Sequence, residues 1–407
     1  MTTTEPETAD TTAFAERVFA SALCALETMS IHVGDRLGWY RALAEHGPLD
    51  PPGLADATGT HERYAREWLE HQAVCGILEV EDPDVAASAR RYRLPAAQAE
   101  VLTDRTSLDY LAPLARMITG AAGKIDALLD VYRTGGGVPW ERFGADARDA
   151  QGDINRPWFD HRLADALASV PEVHDVLSRP DARIADVGCG HGWSALALAR
   201  AYPDATVDGY DVDAPAIDAA REHAAEAGLG DRVTFHVVAG EGLPDRPVYD
   251  AAFVFEAVHD MPRPVEVLHA IRRAVRDDGV VVVMDEAVAE RFAPDGDEVE
   301  RIMYGYSLFL CLPDSLSTTD SVGTGTVMRP AVLDGYAREA GFSGAEVLPS
   351  RDSRSSGSRA CRADRASARR PRSPPDAPAV GCRERSRRAR PEASDPCFWP
   401  FREEGGD

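Results

Sequence analysis

No run of apolar residues in this 407-residue chain is long enough to span a bilayer, so no transmembrane helix and no membrane partner are expected. A secretory signal is also missing. Met1 to Asp10 is polar and acidic, without the basic-then-apolar order that such signals need. The seven cysteines form neither a Cys-x-x-Cys pair nor a cysteine–histidine group at zinc spacing. Their odd, scattered placement suits reduced thiols in the cytoplasm, and no metal-ligand set is expected. Positive charge is scarce as well: 44 Lys and Arg face 68 Asp and Glu, a net charge of −24. Nonspecific attraction to nucleic acid or to anionic lipid is therefore disfavoured. The end of the chain lacks something different. Residues 351–407 contain no Lys, Leu, Ile, Met or Tyr, yet hold fourteen Arg against nine acids. So few aliphatic side chains cannot bury a core, and 350–407 is expected to be a disordered Arg/Ser/Pro-rich tail.

What is present is concentrated at Asp186-Val187-Gly188-Cys189-Gly190-His191-Gly192-Trp193. A short apolar run from Arg183 ends in an acid. Three glycines then alternate with other residues, and an Ala/Leu-rich helical pattern follows from Ser194 to Tyr202. The pattern predicts strand, tight glycine turn and helix, with glycine where a nucleotide-like ligand must approach the backbone. A dinucleotide site would place its third glycine at position 193, which is Trp193. A second apolar run, 205–210, ends at Asp211, about twenty residues on, where an acid can accept from both hydroxyls of a ribose.

The ordered set of Asp186, three alternating glycines and Asp211 resembles the cofactor site of class I S-adenosylmethionine (SAM) methyltransferases. The resemblance implies an α/β, Rossmann-like domain over 171–349. It also implies SAM as cofactor, held by Asp186, Gly188, Gly190, Gly192, Asp211, Val212, Gly240, Glu241 and Phe255. The acid that meets the adenine amino group in the family aligns with Ala239, which makes Glu241 the candidate replacement. Further strands are predicted at 233–238, 250–255 and 280–284, with helices at 214–227 and 264–275, giving a parallel sheet buried on both faces. Asp277-Asp278-Gly279 stands where the family commonly carries Pro-Gly-Gly, and 345–348 resembles its sixth strand. The antiparallel seventh strand has no visible counterpart. The tail is read as a frameshifted replacement of the native C-terminus, leaving a sheet edge exposed.

Beyond the fourth predicted strand runs Phe255-Glu256-Ala257-Val258-His259-Asp260. Reacting groups in open α/β sheets sit past the carboxyl ends of the strands. Methyl transfer is an in-line displacement that depends on positioning, and a hydroxyl acceptor must also lose its proton. An imidazole with an ordinary pKa near ~6.5 can take that proton at neutral pH. The His-Asp pair resembles the base position of plant-type and bacterial O-methyltransferases, so His259 is the candidate general base. Asp285 or Glu286, ending the fifth strand, would orient it, and a one-residue ambiguity leaves both open. In the alternative, His259 is a structural loop residue, Asp260 caps the next helix, and transfer goes to nitrogen or carbon. Small-molecule substrate contacts are expected from Trp158 and from Met303 and Tyr304. Asp295, Asp297, Glu298 and Glu300 read as the solvated start of a helix, and magnesium-assisted chemistry is not expected.

After a disordered 1–12, residues 13–105 read as helices at 33–43, 51–57 and 61–74, followed by short strands at 77–80 and 91–94. This is a winged helix-turn-helix pattern. The helix that would enter a DNA groove mixes His61, Arg63 and Arg66 with Glu62, Glu67 and Glu70, which suits phosphate contacts poorly. The order winged helix, helical connector (106–170), SAM domain resembles winged-helix O-methyltransferases. That resemblance implies a homodimer formed through the N-terminal domain, with a SAM-responsive DNA-binding regulator as the rival reading.

Overall fold

The computed structural model describes residues 11–348 and the backbone of 358–365. Helices α1 (Thr11–Arg36), α2 (Trp39–His46), α3 (Pro51–Thr58) and α4 (Glu62–Val74) precede a small wing, β1 (Glu79–Val80) paired antiparallel with β2 (Tyr92–Arg93). Helix α1 starts at Thr11, inside the stretch expected to be disordered. The single helix expected at 33–43 is two, because Gly38 at φ 72 turns the chain between α1 and α2. That turn lets Trp39, Tyr40 and Leu43 pack on Leu54, Trp68, Leu69 and Tyr92. Asp50 caps α3 by accepting from the Gly53 N–H at 2.8 Å, and the His61 ring caps α4. A helical connector follows: α5 (Ala96–Thr103), α6 (Ala112–Ala122), α7 (Ile125–Thr134), α8 (Ala145–His161), α9 (Leu163–Ala168) and α10 (Pro171–Leu177).

Strands and helices then alternate as β3 (Arg183–Val187), α11 (Trp193–Ala201), β4 (Thr206–Asp211), α12 (Ala214–Glu226), β5 (Val233–Val237), β6 (Tyr249–Phe255), α13 (Pro264–Ala274) and β7 (Val275–Glu286). These five strands are parallel in the order β5-β4-β3-β6-β7. Every residue of β6 is buried because helices cover both faces. Ile184, Phe253 and Val282 pack with Leu196 and Leu198 on one side, and Ala185, Val254 and Val283 with Leu268 and Ile271 on the other. Strand addition reverses at β3, so a crevice opens past the ends of β3, β4 and β6.

The chain continues through α14 (Glu298–Tyr306), a π-helical turn at Ser307–Cys311, α15 (Leu312–Ser315), α16 (Pro330–Glu339), β8 (Phe342–Val347) and β9 (Ser358–Arg365). The last strand corrects the expectation of a missing seventh strand and of disorder throughout 350–407. It runs antiparallel between β7 and β8, with Met284 opposite Ala360 and Glu346 opposite Arg362. A strand flanked on both sides satisfies its N–H and C=O groups whatever its side chains, so few aliphatic residues did not forbid it. The rest of the expected tail, 349–357 and 366–407, lies outside the described residues, as does 1–10. No helix among the described residues is long and apolar enough to cross a membrane.

Candidate active site

The glycine turn opens at the end of β3. Asp186 there is fully buried and accepts from Ser194 Oγ at 2.6 Å, while its other oxygen has no partner. Burial, opposed by the Ser194 bond, lifts its pKa to about 7. Gly188, Gly190 and Gly192 have φ of 79, 47 and 77, a left-handed run that favours glycine. A Cβ at Gly188 would fall 2.7 Å from Ala257 Cβ, and one at Gly192 would fall 2.6 Å from the Phe235 ring. At Gly190 nothing lies within 4 Å, so this side of the turn is open to a ligand. Asp211, ending β4, accepts from the Gly190 and Asp213 N–H groups at 2.8 Å each, one per carboxylate oxygen. Each oxygen keeps a lone pair for a ribose hydroxyl. Val212 beside it is exposed, Phe255 closes the end of β6, and Gly240 presses on Val267 where a Cβ would fall 2.6 Å away. Glu241, the candidate adenine contact, pairs with Arg263 at 3.0 Å. The open glycine and the ribose-type acid fit SAM.

Next to this turn, the loop after β6 carries His259, which is buried. Its Nδ1 donates to Asp285 Oδ1 at 2.8 Å, and its Nε2 lies 3.4 Å from Asp260 Oδ1. Of the two acids left open by the sequence, Asp285 is thus the one on the ring. Glu286, one residue on, lies in the field of Glu256 and, less strongly, in that of the His259 ring. Burial opposes charge on His259, but Asp260, Asp285 and the hydrogen bond outweigh it and hold the ring pKa well above its ordinary value. Burial and Glu256 likewise push the Glu286 carboxyl well up. Asp260 does not cap α13, whose first turn follows Arg263 with no side-chain cap. Its side chain keeps 38% of its surface, so it lines the cleft instead.

Three groups that sequence reasoning did not single out join this cluster. The π-helical turn brings Cys311 within 4.8 Å of the His259 and Asp260 ligand atoms. Tyr306 puts a buried, unpartnered hydroxyl beside Glu286 and Glu256. Asn155 of α8 donates to Glu256 at 2.6 Å, so the connector helix reaches over the strand ends. A π turn has no sequence signature, whereas the positive φ of Glu256 at 48 is a local signal of a constrained site.

The expected substrate residues separate. Trp158 packs edge-to-face on Phe159 at 5.8 Å, and Phe159 meets Phe255 at 5.3 Å, so Trp158 reaches the site through an aromatic chain. Met303 is half-buried on α14. Tyr304 is 43% exposed and its hydroxyl accepts from Arg329 at 3.3 Å. Arg329 also pairs at 2.5 Å with Glu300, which is buried, correcting the expectation of a wholly solvated acidic run.

Residues 184–279 match the family described as "Methyltransferase domain", and residues 25–104 match the "Rv2258c-like winged HTH domain". Among curated relatives, the chain is 29% identical over 153 residues to 27-O-demethylrifamycin SV methyltransferase of Amycolatopsis mediterranei, covering 35% of this chain and 54% of that one. It is 28% identical over 171 residues to 24-methylenesterol C-methyltransferase 2 of Arabidopsis thaliana, covering 41% and 46%. The chain thus spans about half the length of these curated relatives. The solved structure of mitomycin 7-O-methyltransferase MmcR shares the fold at a TM-score of 0.63 and 21% identity, covering 87% of this chain and 98% of that one. The chain therefore joins a winged helix-turn-helix domain to a class I SAM-methyltransferase domain.

Proposed function

We propose that the protein methylates an oxygen of a small molecule, with SAM as donor and His259, oriented by Asp285, as the base for the acceptor's proton. The observation that carries this reading is the 2.8 Å bond between His259 and Asp285 past the strand ends, beside the glycine turn. When bound, SAM supplies a methyl group made electrophilic by its sulfonium. Asp211 would hold the ribose, and the turn at 188–192 would let the nucleoside lie against the backbone. Asp285 keeps a proton on Nδ1, so Nε2 is the atom that exchanges protons with the acceptor. Asp260, still accessible, gives that proton a route to solvent. An oxygen acceptor also agrees with the name of the rifamycin relative. Carbon methylation, as in the sterol relative's name, would leave the His259–Asp285 pair without a task.

The same reading makes the protein a homodimer. Phe14, Phe19, Leu23, Leu26 and Met29 of α1 are each more than half exposed along one broad face, which a second copy would cover. DNA is a poor alternative partner, since Arg63 pairs with Glu67 and Arg90 with Glu70. Cys24, Cys75, Cys189 and Cys311 are free thiols, in keeping with a cytoplasmic protein.

Calorimetric titration of SAM tests the cofactor site. The parent protein is expected to bind, and Asp211→Ala to lose about tenfold or more, the size of a charge-assisted hydrogen bond. A folded parent that binds no SAM overturns the proposal. With a working acceptor, His259→Ala is expected to keep SAM binding and lose roughly 10²–10⁴-fold in turnover.

A further inference from the structure

Helix α8 belongs to the connector, outside the residues 184–279 that match the methyltransferase family. One of its faces nevertheless lies against the cofactor site. Arg148, Gly152 and Asn155 stand four and then three residues apart, a spacing that puts them on one side of a helix. Asn155 donates to Glu256, just past β6. Gly152 approaches the glycine turn so closely that a Cβ there would fall 2.6 Å from His191 Nδ1. Asp149 lies 3.7 Å from the Nε2 of the same ring. Arg148 pairs with Asp213 at 2.5 Å, just past β4.

Asp213 acts on the ribose acid in two opposite ways. Its N–H donates to Asp211 at 2.8 Å and holds one carboxylate oxygen in place. Its side-chain charge works against the charge on Asp211. Burial pushes the Asp211 carboxyl up, the N–H bonds from Asp213 and Gly190 pull it down, and the Asp213 charge pushes it up again. Arg148 supplies the counter-charge. The pair is well shielded, with 14% of the Arg148 side chain and 12% of the Asp213 side chain exposed. Water screens such a pair little, so an Asp213 carboxylate stripped of its partner would bear on Asp211 strongly. A ribose hydroxyl bonds more tightly to a charged carboxylate than to a neutral carboxyl.

Resting on the cofactor reading above, we infer that Arg148 is a positioning residue for SAM: it offsets the Asp213 charge and so keeps the Asp211 carboxylate as the ribose acceptor. It acts through Asp213 and not on the cofactor itself. The nucleoside site is then completed from the connector and not by the methyltransferase domain alone.

The test is calorimetric titration of S-adenosylhomocysteine, which carries the same ribose, into the full chain. Arg148→Ala is expected to bind about tenfold more weakly than the parent, the size of a charge-assisted hydrogen bond. Arg148→Lys should keep most of the affinity. Two results separate this role from a merely structural one. In an Asp211→Ala background, Arg148→Ala should cost little more, because both changes remove the same contact. Adding Asp213→Asn to Arg148→Ala should restore most of the affinity, since the opposing charge is gone while the backbone N–H remains. Circular dichroism checks the fold, and Arg148→Gln carries the same expectations if Arg148→Ala does not fold. Unchanged affinity in the folded Arg148 variant, an equal loss with and without Asp211, or no recovery with Asp213→Asn overturns the inference alone. A parent protein that binds no S-adenosylhomocysteine overturns the cofactor reading, and this inference with it.

Discussion

On the His259 ring two demands oppose each other. A base must be free of its proton, yet Asp260 and Asp285 hold the ring charged. The acids facing it come from its own loop (Asp260) and from β7 (Asp285, Glu286), and Cys311 faces it from the π turn. In the free protein, kcat/KM should therefore rise with pH through a value above the ordinary histidine range. Asp260→Asn removes one of the raising charges. The pH–rate limb should move to lower pH, read from the profile with a single acceptor, while SAM affinity stays unchanged. Asp186 illustrates the opposite sign of linkage. Its folded pKa of about 7 stands above the 3.8 of an ordinary Asp. Between those values the unfolded chain has already ionised while the folded chain has not, so this group's contribution to stability falls as pH rises. Asp186→Asn is expected to stabilise the fold at pH 8 by on the order of a few kcal/mol at most, read as a raised melting temperature, and to change little at pH 4. The places of Gly188, Gly190, Gly192, Asp211 and His259 were legible because they depend on spacing within one turn or at one strand end. Tyr306 and Cys311 were not, because a π turn rotates side chains away from the helical spacing that sequence reading assumes.

Secondary-structure elements were legible where burial imposes a period and illegible where one residue breaks it. The strands of the parallel sheet are apolar runs covered on both faces, and their bounds agree with prediction to within a few residues. Helix α1 continued past its expected start, while Gly38 cut short the helix expected at 33–43. Glu300 looked solvated among other acids, yet its partner Arg329 comes from just before α16, a distance that sequence reading cannot bridge. The apolar face of α1 leads to a prediction at this scale. Leu23 and Leu26 are each more than half exposed, so a charged residue at either site costs the folded protomer little. The double variant Leu23→Glu, Leu26→Glu is expected to run as a monomer by light scattering with its circular dichroism unchanged. A variant that remains dimeric would mean that α1 is not the interface.

Over the whole molecule, net charge and the order of domains were legible, since both are read directly along the chain. A net charge of −24 opposes binding to duplex DNA, and one of the two arginines of the candidate groove helix, Arg63, is countered by Glu67 a turn away. No mobility shift of duplex DNA is expected at 50 mM salt, about the low end of the range where phosphate contacts are strongest. A shift that disappears as salt is raised would revive the regulator reading. The closure of the sheet was not legible, because β9 pairs through backbone groups that composition does not report.

Strand β9 also imposes an order on synthesis. It is the last of the described strands to be made, yet it lies between two that are made earlier, β7 and β8. As the chain leaves the ribosome, β8 can pack on α16 through Phe342 and the Ala345 N–H bond to Asp334, but it has no strand to pair with until residues 358–365 arrive and bridge it to the sheet. The backbones of Asp285 and Glu286 pair with Arg359 and Ser358, so the acids of the site gain their last support in the same step. A stalled or clipped nascent chain would therefore hold a nearly complete nucleoside pocket with its acidic wall unfinished.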